Sequence, residues 1–294
     1  MKLPSDLSSK GVAVEEWIDL HFYRRIGIKI ARALEPTDIS ADQVTLWAIL
    51  IGVVAGHLFV YRDPWVNAIG FVLFVVSDIF DSSDGQLARL RGKSTRMGRA
   101  LDGMGDNVRF VNLYIHLLIR LTLAGWHWHG FLLVALAGFS HSVQAMSVDF
   151  IRNAFLLLGE GKGSELDLPE DLASEPSGFF RRLGARVYLR YVRTQTQLFP
   201  RTVELIRALR RSTVPPSFRA EYRERQQPLL PICSWLGQNI RFALLGLTCV
   251  AGHPTAFLWT EGLAMNVVLL LLLSLHEANA AALSSSLERE ASAY

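Results

Sequence analysis

Four aspartates at helical spacing offer the clearest chemistry in this chain: Asp81, Asp84, Asp102 and Asp106. Side chains three or four residues apart share one face of a helix. Asp81 with Asp84, and Asp102 with Asp106, therefore make two carboxylate pairs. The chain between them is rich in Gly, Ser and Thr from Gly92 to Gly98, so it can turn and bring the pairs together. Four facing carboxylates in a low-dielectric setting repel one another unless a cation lies between them. A ligand set made only of oxygens favours a hard divalent ion, Mg²⁺ or Mn²⁺. The structural alternative is an ion-pair cluster of these aspartates with Arg89, Arg99 and Arg109.

The elements that must position these groups are apolar and long. Half of the 294 residues are hydrophobic and the mean hydropathy is +0.25, values ordinary for a membrane protein. Six segments near or above the roughly 20 residues that cross a hydrocarbon core can be marked. They lie at 43–62, 65–91, 102–124, 128–158, 230–251 and 255–284. The sequence thus predicts an all-α integral membrane protein with six transmembrane helices. Its parts are an N-terminal segment (1–42), spans one to four with the aspartates (43–158), an insertion (159–229), and the last two spans with a tail (230–294). Lysines and arginines concentrate in the N-terminal segment, the 2–3 link and the 4–5 link. By the positive-inside rule these are cytoplasmic, as are both termini and the aspartate pairs. Cys233 and Cys249 lie in or beside apolar sequence and imply no disulfide framework.

Residues 12–35 place Phe22, Ile26, Ile30 and Leu34 at four-residue steps beside Tyr23, with Arg24, Arg25, Lys29 and Arg32 opposite. That pattern predicts a basic amphipathic helix in the headgroup layer. Pro36 breaks it, and Ser40 or Asp42 can cap the helix that follows. The insertion opens on an acidic Gly/Pro/Ser-rich stretch that reads as a flexible linker. From Phe179 to Arg211 it turns basic and amphipathic, which suits helices lying on an anionic leaflet better than a nucleic-acid surface.

Written out, the aspartate region follows D-x2-D-G-x2-A-R-x8-G-x3-D-x3-D, fulfilled by Asp81, Asp84, Gly85, Ala88, Arg89, Gly98, Asp102 and Asp106. It resembles the signature of the CDP-alcohol phosphotransferases, integral-membrane enzymes that build phospholipids from CDP-linked donors. The resemblance implies that Asp81, Asp84, Asp102 and Asp106 ligate Mg²⁺ or Mn²⁺, with two ions expected. It implies that Asp106 is also the general base, and that Gly85, Ala88, Arg89 and Gly98 form the CDP site. The implied reaction joins an alcohol to the donor's phosphorus and releases CMP. The donor is CDP-diacylglycerol with a soluble alcohol acceptor or, in the other geometry, CDP-choline or CDP-ethanolamine with diacylglycerol; the six-span layout favours the first. A multi-pass protein of a bacterial plasma membrane, active on the cytoplasmic side, homodimeric and without nucleic-acid partners, is the corresponding expectation.

Further polar residues extend the region. Asp102, Asp106, Arg109 and His116 recur on one face, and the fourth span offers His141, Gln144, Asp149 and Arg152. These stripes suit an acceptor pocket, with Arg109 and Arg152 as anion contacts, or equally hydrogen bonding between helices. Asp78, one turn before Asp81 and outside the signature, suits either a ligand-orienting role or a local pair. Arg120 reads as snorkelling to the outer interface, and Arg241 has no assigned role. A cation transporter would place carboxylates near the middle of several spans; a catalytically silent scaffold would have no need of four.

Overall fold

The computed structural model describes residues 13–92, 96–162, 166–172, 179–210 and 216–292; within the helices, the side chains at 96–104, 179–181, 183, 216, 288 and 290–292 lie outside the description. Among the described residues every regular element is helical. In chain order these are α1 (Arg24–Leu34), entered through a wide turn at Asp19–Tyr23, then α2 (Ala41–Leu58), α3 (Pro64–Leu90) and α4 (Arg96–Leu123). Next come α5 (Trp128–Ala154, prolonged by Phe155–Gly159), α6 (Phe179–Leu198), α7 (Pro200–Leu209), α8 (Pro216–Gln226) and α9 (Leu230–Trp235). The chain closes with α10 (Gln238–Val250), α11 (Pro254–Trp259, followed by a wide turn Thr260–Ala264) and α12 (Met265–Ser292). It divides into two compact units, Met1–Ser140 with Gln238–Ala264, and His141–Gly237 with Met265–Tyr294.

Four helices among the described residues are long and apolar enough to cross a membrane: Ala41–Leu58, Pro64–Leu90, Trp128–Gly159 and Pro254–Leu287. The two other expected crossings have a different character. α4 begins at Arg96, ahead of the expected start, and its first half carries the charged residues of the signature. The segment expected at 230–251 is broken. The amides of Leu236 and Gly237 close turns onto Cys233 and Ser234, leaving α10 only 13 residues long. At ~1.5 Å per residue that is about 20 Å, against a hydrocarbon core of about 30 Å.

Local sequence explains the helix boundaries of the first unit. Ser40 and Gln43 form a reciprocal capping box at the start of α2 (2.8 and 3.2 Å). Asp63 accepts from the amides of Trp65 and Val66, with Pro64 in the first turn of α3. Gly92, at φ +61°, ends α3 in the left-handed conformation that glycine adopts without cost. Between these ends the core is a run of stacked rings, Phe59–Phe74–Phe242–Phe110, with centroids 5.8, 4.6 and 5.5 Å apart. In lipid, burial of apolar surface adds little, so such close packing and the polar contacts between helices carry the association.

Two arginines read differently once folded. Arg120 does not snorkel: it is buried, donating to the Phe59 carbonyl (3.2 Å) and to Asn67 Oδ1 (2.7 Å), because the ends of α2 and α3 supply acceptors within its reach. Arg241 is buried against Glu261 of the turn after α11, Nε to Oε1 2.8 Å. The buried face of α1 also differs from the expected one. Tyr23, Gly27, Ile28 and Ala31 face inward, while Phe22 is exposed. The reason is close approach to α3: a Cβ on Gly27 would stand 3.0 Å from Gln86 Nε2 and 3.3 Å from the Ser82 backbone.

The second unit gathers the end of α5 with α6 to α9 and α12. Its ring packing includes Phe150 on Phe199 at 4.2 Å. Glu277 of α12 caps α7 from outside that helix, accepting from the amides of Arg201 (2.7 Å) and Thr202 (3.1 Å). The acidic stretch expected to be a flexible linker docks instead, over residues 166–172. Leu166 and Leu168 are buried, Glu170 pairs with Arg207 (2.8 Å), and Asp171 pairs with Arg210 (2.8 Å). The Arg207 hydrogen bond holds the Glu170 carboxyl down at about 2. This clamp is therefore complete above the ordinary carboxylate range and is lost as pH falls through that lowered value.

The buried Arg241–Glu261 pair generates a stability prediction. Glu261→Gln leaves a buried guanidinium beside a neutral amide and lowers stability by about 3 kcal/mol, whereas Arg241→Met with Glu261→Leu costs much less. Unfolding of the detergent-solubilised protein in denaturant measures both; equal losses would refute the assignment.

Candidate active site

The site is built in the first unit, where the end of α3 and the start of α4 carry the aspartates. A helical turn separates Asp78, Asp81 and Asp84 along α3, and Asp106 and Arg109 lie a turn apart on α4. Arg109 is the organising group and is almost wholly buried, 1% exposed. Its guanidinium donates to Asp78 Oδ1 (2.9 Å), to Asp81 Oδ1 (3.2 Å) and to Asp106 Oδ1. It also donates to Ser77 Oγ at 2.9 Å, and that hydroxyl in turn donates to the Ala48 carbonyl at 2.8 Å.

The three carboxylates differ in access. The Asp78 side chain is 9% exposed, Asp81 29% and Asp106 44%. Asp78 takes a second hydrogen bond from Gln238 Nε2 at 2.8 Å, which ties α10 to the cluster. It serves as the buried anchor for Arg109, while Asp81 and Asp106 keep part of their surface open. A solvent-reaching carboxylate steered by a fixed guanidinium is oriented without being sealed off, the condition a proton acceptor needs. Near the same cluster, burial and then the charges of Asp78, Asp19 and Glu16 push the Tyr23 phenol well above its ordinary value, so it stays protonated.

The signature residues around them are placed as follows. Asp84 is buried on the next turn of α3. Arg89 folds back over Gly85: a Cβ there would meet its Nη1 at 3.4 Å. Ala88 follows on the same helix. Gly98 and Asp102 belong to α4, and their side-chain positions lie outside the described residues, as does that of Arg99. Asp81, Asp84 and Asp106 offer hard carboxylate oxygens alone, a donor chemistry that fits a divalent cation. No group of three acidic, histidine or cysteine side chains able to hold a metal forms among the described residues. Between Asp81 and Asp106 it is Arg109 that supplies the positive charge.

The residues expected to line an acceptor pocket are placed as follows. The donors of Arg109 face the aspartates. His116 bonds the Asn112 carbonyl (2.7 Å) and sits edge-on to His57, a contact within the bundle. His141, Gln144 and Arg152 belong to the second unit. There Gln144 is fully buried and donates to Asn266 Oδ1 at 2.9 Å, and Asp149 accepts from Tyr191 at 3.2 Å. For these two residues, hydrogen bonding between helices is what the structure shows.

Several supporting residues escaped the sequence reading. Gly52 and Gly56 of α2 make room for α4. A Cβ on Gly52 would overlap the Arg109 side chain and come within 2.9 Å of Ser77 Oγ, and one on Gly56 would strike Asn112 Oδ1. Their four-residue spacing, small residues on one helix face, was an available signal. Arg91 was a second omission. Just before Gly92, it donates to the carbonyls of Leu34 (2.6 Å), Glu35 (3.1 Å), Thr37 (2.8 Å) and Ile39 (2.6 Å), so it binds the end of α1 to the end of the first signature helix. Nothing in the sequence linked Gln238 to Asp78, 160 residues away.

With this geometry in view, the comparisons are specific. Residues 38–154 match the model of the CDP-alcohol phosphatidyltransferase family. The chain is also similar to a protein of Thermococcus kodakarensis (strain ATCC BAA-918 / JCM 12380 / KOD1) described as a bifunctional IPC transferase and DIPP synthase. The two are 26% identical over 143 residues, 47% of this chain and 32% of that protein. The chain thus spans about a third of that relative's length.

The contact between Gly52 and Arg109 can be tested directly. Gly52→Ala pushes the guanidinium off Ser77 and costs about 1–3 kcal/mol of stability, whereas Gly125→Ala, in an open turn at φ +87°, costs about 1 kcal/mol through its backbone alone. Parallel denaturant titrations compare them; a Gly52→Ala protein as stable as the parent would remove the close approach.

Proposed function

We propose that this protein is a CDP-alcohol phosphotransferase that moves a phosphatidyl group from CDP-diacylglycerol to the hydroxyl of a soluble alcohol and releases CMP. The observation that carries the reading is Asp106, inside the family signature, held by a buried arginine and still 44% exposed. The family match over residues 38–154 supports the reaction class, and a relative named as a transferase agrees with it. Six crossings are the working topology, with α4 and the whole broken segment 230–250 added to the four apolar helices. The active site then lies on the cytoplasmic side, toward the basic segments.

In this reading the chain's own groups divide the work. Asp106 accepts the proton of the acceptor hydroxyl as its oxygen forms a bond to the donor's phosphorus nearer the lipid. The bond from that phosphorus to the CMP oxygen breaks, and CMP departs with the bonding pair. Arg109 keeps the Asp106 carboxylate aimed, while Asp78 and Gln238 keep Arg109 in place. Gly85 leaves space against the backbone of α3, and Arg89 above it offers a planar fork suited to phosphate oxygens. Asp81, Asp84, Asp102 and Asp106 would hold Mg²⁺ or Mn²⁺, as one ion or two. Such an ion supplies Lewis-acid stabilisation of charge on the pyrophosphate.

Purified protein in detergent with Mg²⁺ tests this by release of CMP. CDP-diacylglycerol is offered with a panel of alcohols, and CDP-choline or CDP-ethanolamine is offered with diacylglycerol. The expected result is release from CDP-diacylglycerol that depends on one alcohol and falls by about a hundredfold or more in Asp106→Asn, the loss of a general base. Release from a CDP-aminoalcohol alone would exchange donor and acceptor classes and keep the chemistry. Full activity in Asp106→Asn would end its role as base.

A further inference from the structure

The proposed chemistry leaves unused the most basic surface of the second unit. Arg182, Arg186, Arg190 and Arg193 recur along α6 at steps of four, four and three residues. At 3.6 residues per turn they fall within an arc of about 80°. All four are exposed, and none pairs with a carboxylate among the described residues. Arginines on the next helix behave differently: Arg207 and Arg210 are clamped onto Glu170 and Asp171. Among the described residues the α6 stripe thus has no counter-ions, while neighbouring arginines have them.

The stripe also points away from the unit's own packing. The inward side of α6 carries Val192 and Gln195, both buried, with Gln195 donating to the Met146 carbonyl at 3.3 Å. Beside the arginines Val187 stands 63% exposed, an apolar side chain at the margin of a charged face. The same unit contains α12, whose Val267, Leu270 and Leu271 present an exposed apolar surface of the kind that meets lipid. A basic face with an apolar margin, on a unit that also has a lipid-facing helix, matches the boundary between headgroups and acyl chains.

We propose that the arginine face of α6 binds the headgroups of anionic phospholipids. Guanidinium groups pair well with phosphate oxygens. Each basic residue close to an anionic leaflet strengthens attachment, and the effect fades within a Debye length of about 8–10 Å. The face discriminates by net charge, so a zwitterionic lipid carrying the same phosphate binds less.

The test uses the full chain in detergent, with phosphatidylglycerol and phosphatidylcholine as probes and retained lipid counted by native mass spectrometry. The parent protein is expected to retain phosphatidylglycerol in preference, and that preference to vanish as salt is raised. Replacing the four arginines together, Arg182→Gln, Arg186→Gln, Arg190→Gln and Arg193→Gln, lowers phosphatidylglycerol retention by about tenfold or more, with an unchanged thermal midpoint. The corresponding lysine set keeps the preference. Equal retention of both lipids by the parent, an unchanged preference in the glutamine set, or its loss in the lysine set overturns the proposal. So does capture of a single-stranded oligonucleotide with no preference between the lipids, which assigns the face to nucleic acid. Should the glutamine set fail to fold, the salt titration of the parent decides. Release of CMP is not the readout, so the outcome does not depend on the catalytic assignment.

Discussion

The candidate site rests on one electrostatic constraint: a single buried guanidinium shared by three carboxylates. Removing Arg109 from water is expensive unless its donors are met, and Asp78, Asp81, Asp106 and Ser77 meet those of its two terminal nitrogens. The reverse also holds, since the aspartates would repel one another in this setting without an intervening cation. Charge and geometry thus hold each other in place. The gradient of exposure from Asp78 through Asp81 to Asp106 shows where the cluster is anchored and where it opens.

The helices around this cluster are shaped to admit it. α2 gives up side chains at Gly52 and Gly56 so that the polar face of α4 can approach. α10 contributes Gln238, and the shortness of that helix places a carboxamide, at its first residue, beside Asp78. α1 joins through small residues that let it lie on Ser82 and Gln86, and Arg91 ties its end to the close of α3. The N-terminal segment is thus part of the scaffold that holds the first half of the signature. Elsewhere in the first unit, the buried Arg120 and Arg241 likewise have fixed partners, Asn67 and Glu261.

The second unit solves a different problem. Bonds between distant stretches hold its helices: Glu277 on the start of α7, Arg207 on Glu170, Tyr191 on Asp149. These contacts engage Glu170 of the insertion and Asp149 at the end of α5. Among the described residues, the arginine face of α6 is an outward surface without carboxylate partners.

By itself, the sequence determined the helical class, the capping of α2 at Ser40, and the ends of α3. All follow from local rules acting within a few residues. Its three- and four-residue spacing paired Asp81 with Asp84 and Asp102 with Asp106 along their helices, whereas the cluster around Arg109 joins Asp78 and Asp81 to Asp106. Tertiary structure alone brought Arg109 onto Asp78, Asp81 and Asp106, a choice that spacing left open among several arginines. It alone decided that Gln238 reaches Asp78, that Arg241 meets Glu261, and that the acidic stretch of the insertion docks on α7. Local propensity is written in neighbouring residues, whereas the partner of a buried charge depends on which helices pack together, and that is settled by contacts between residues far apart in the chain.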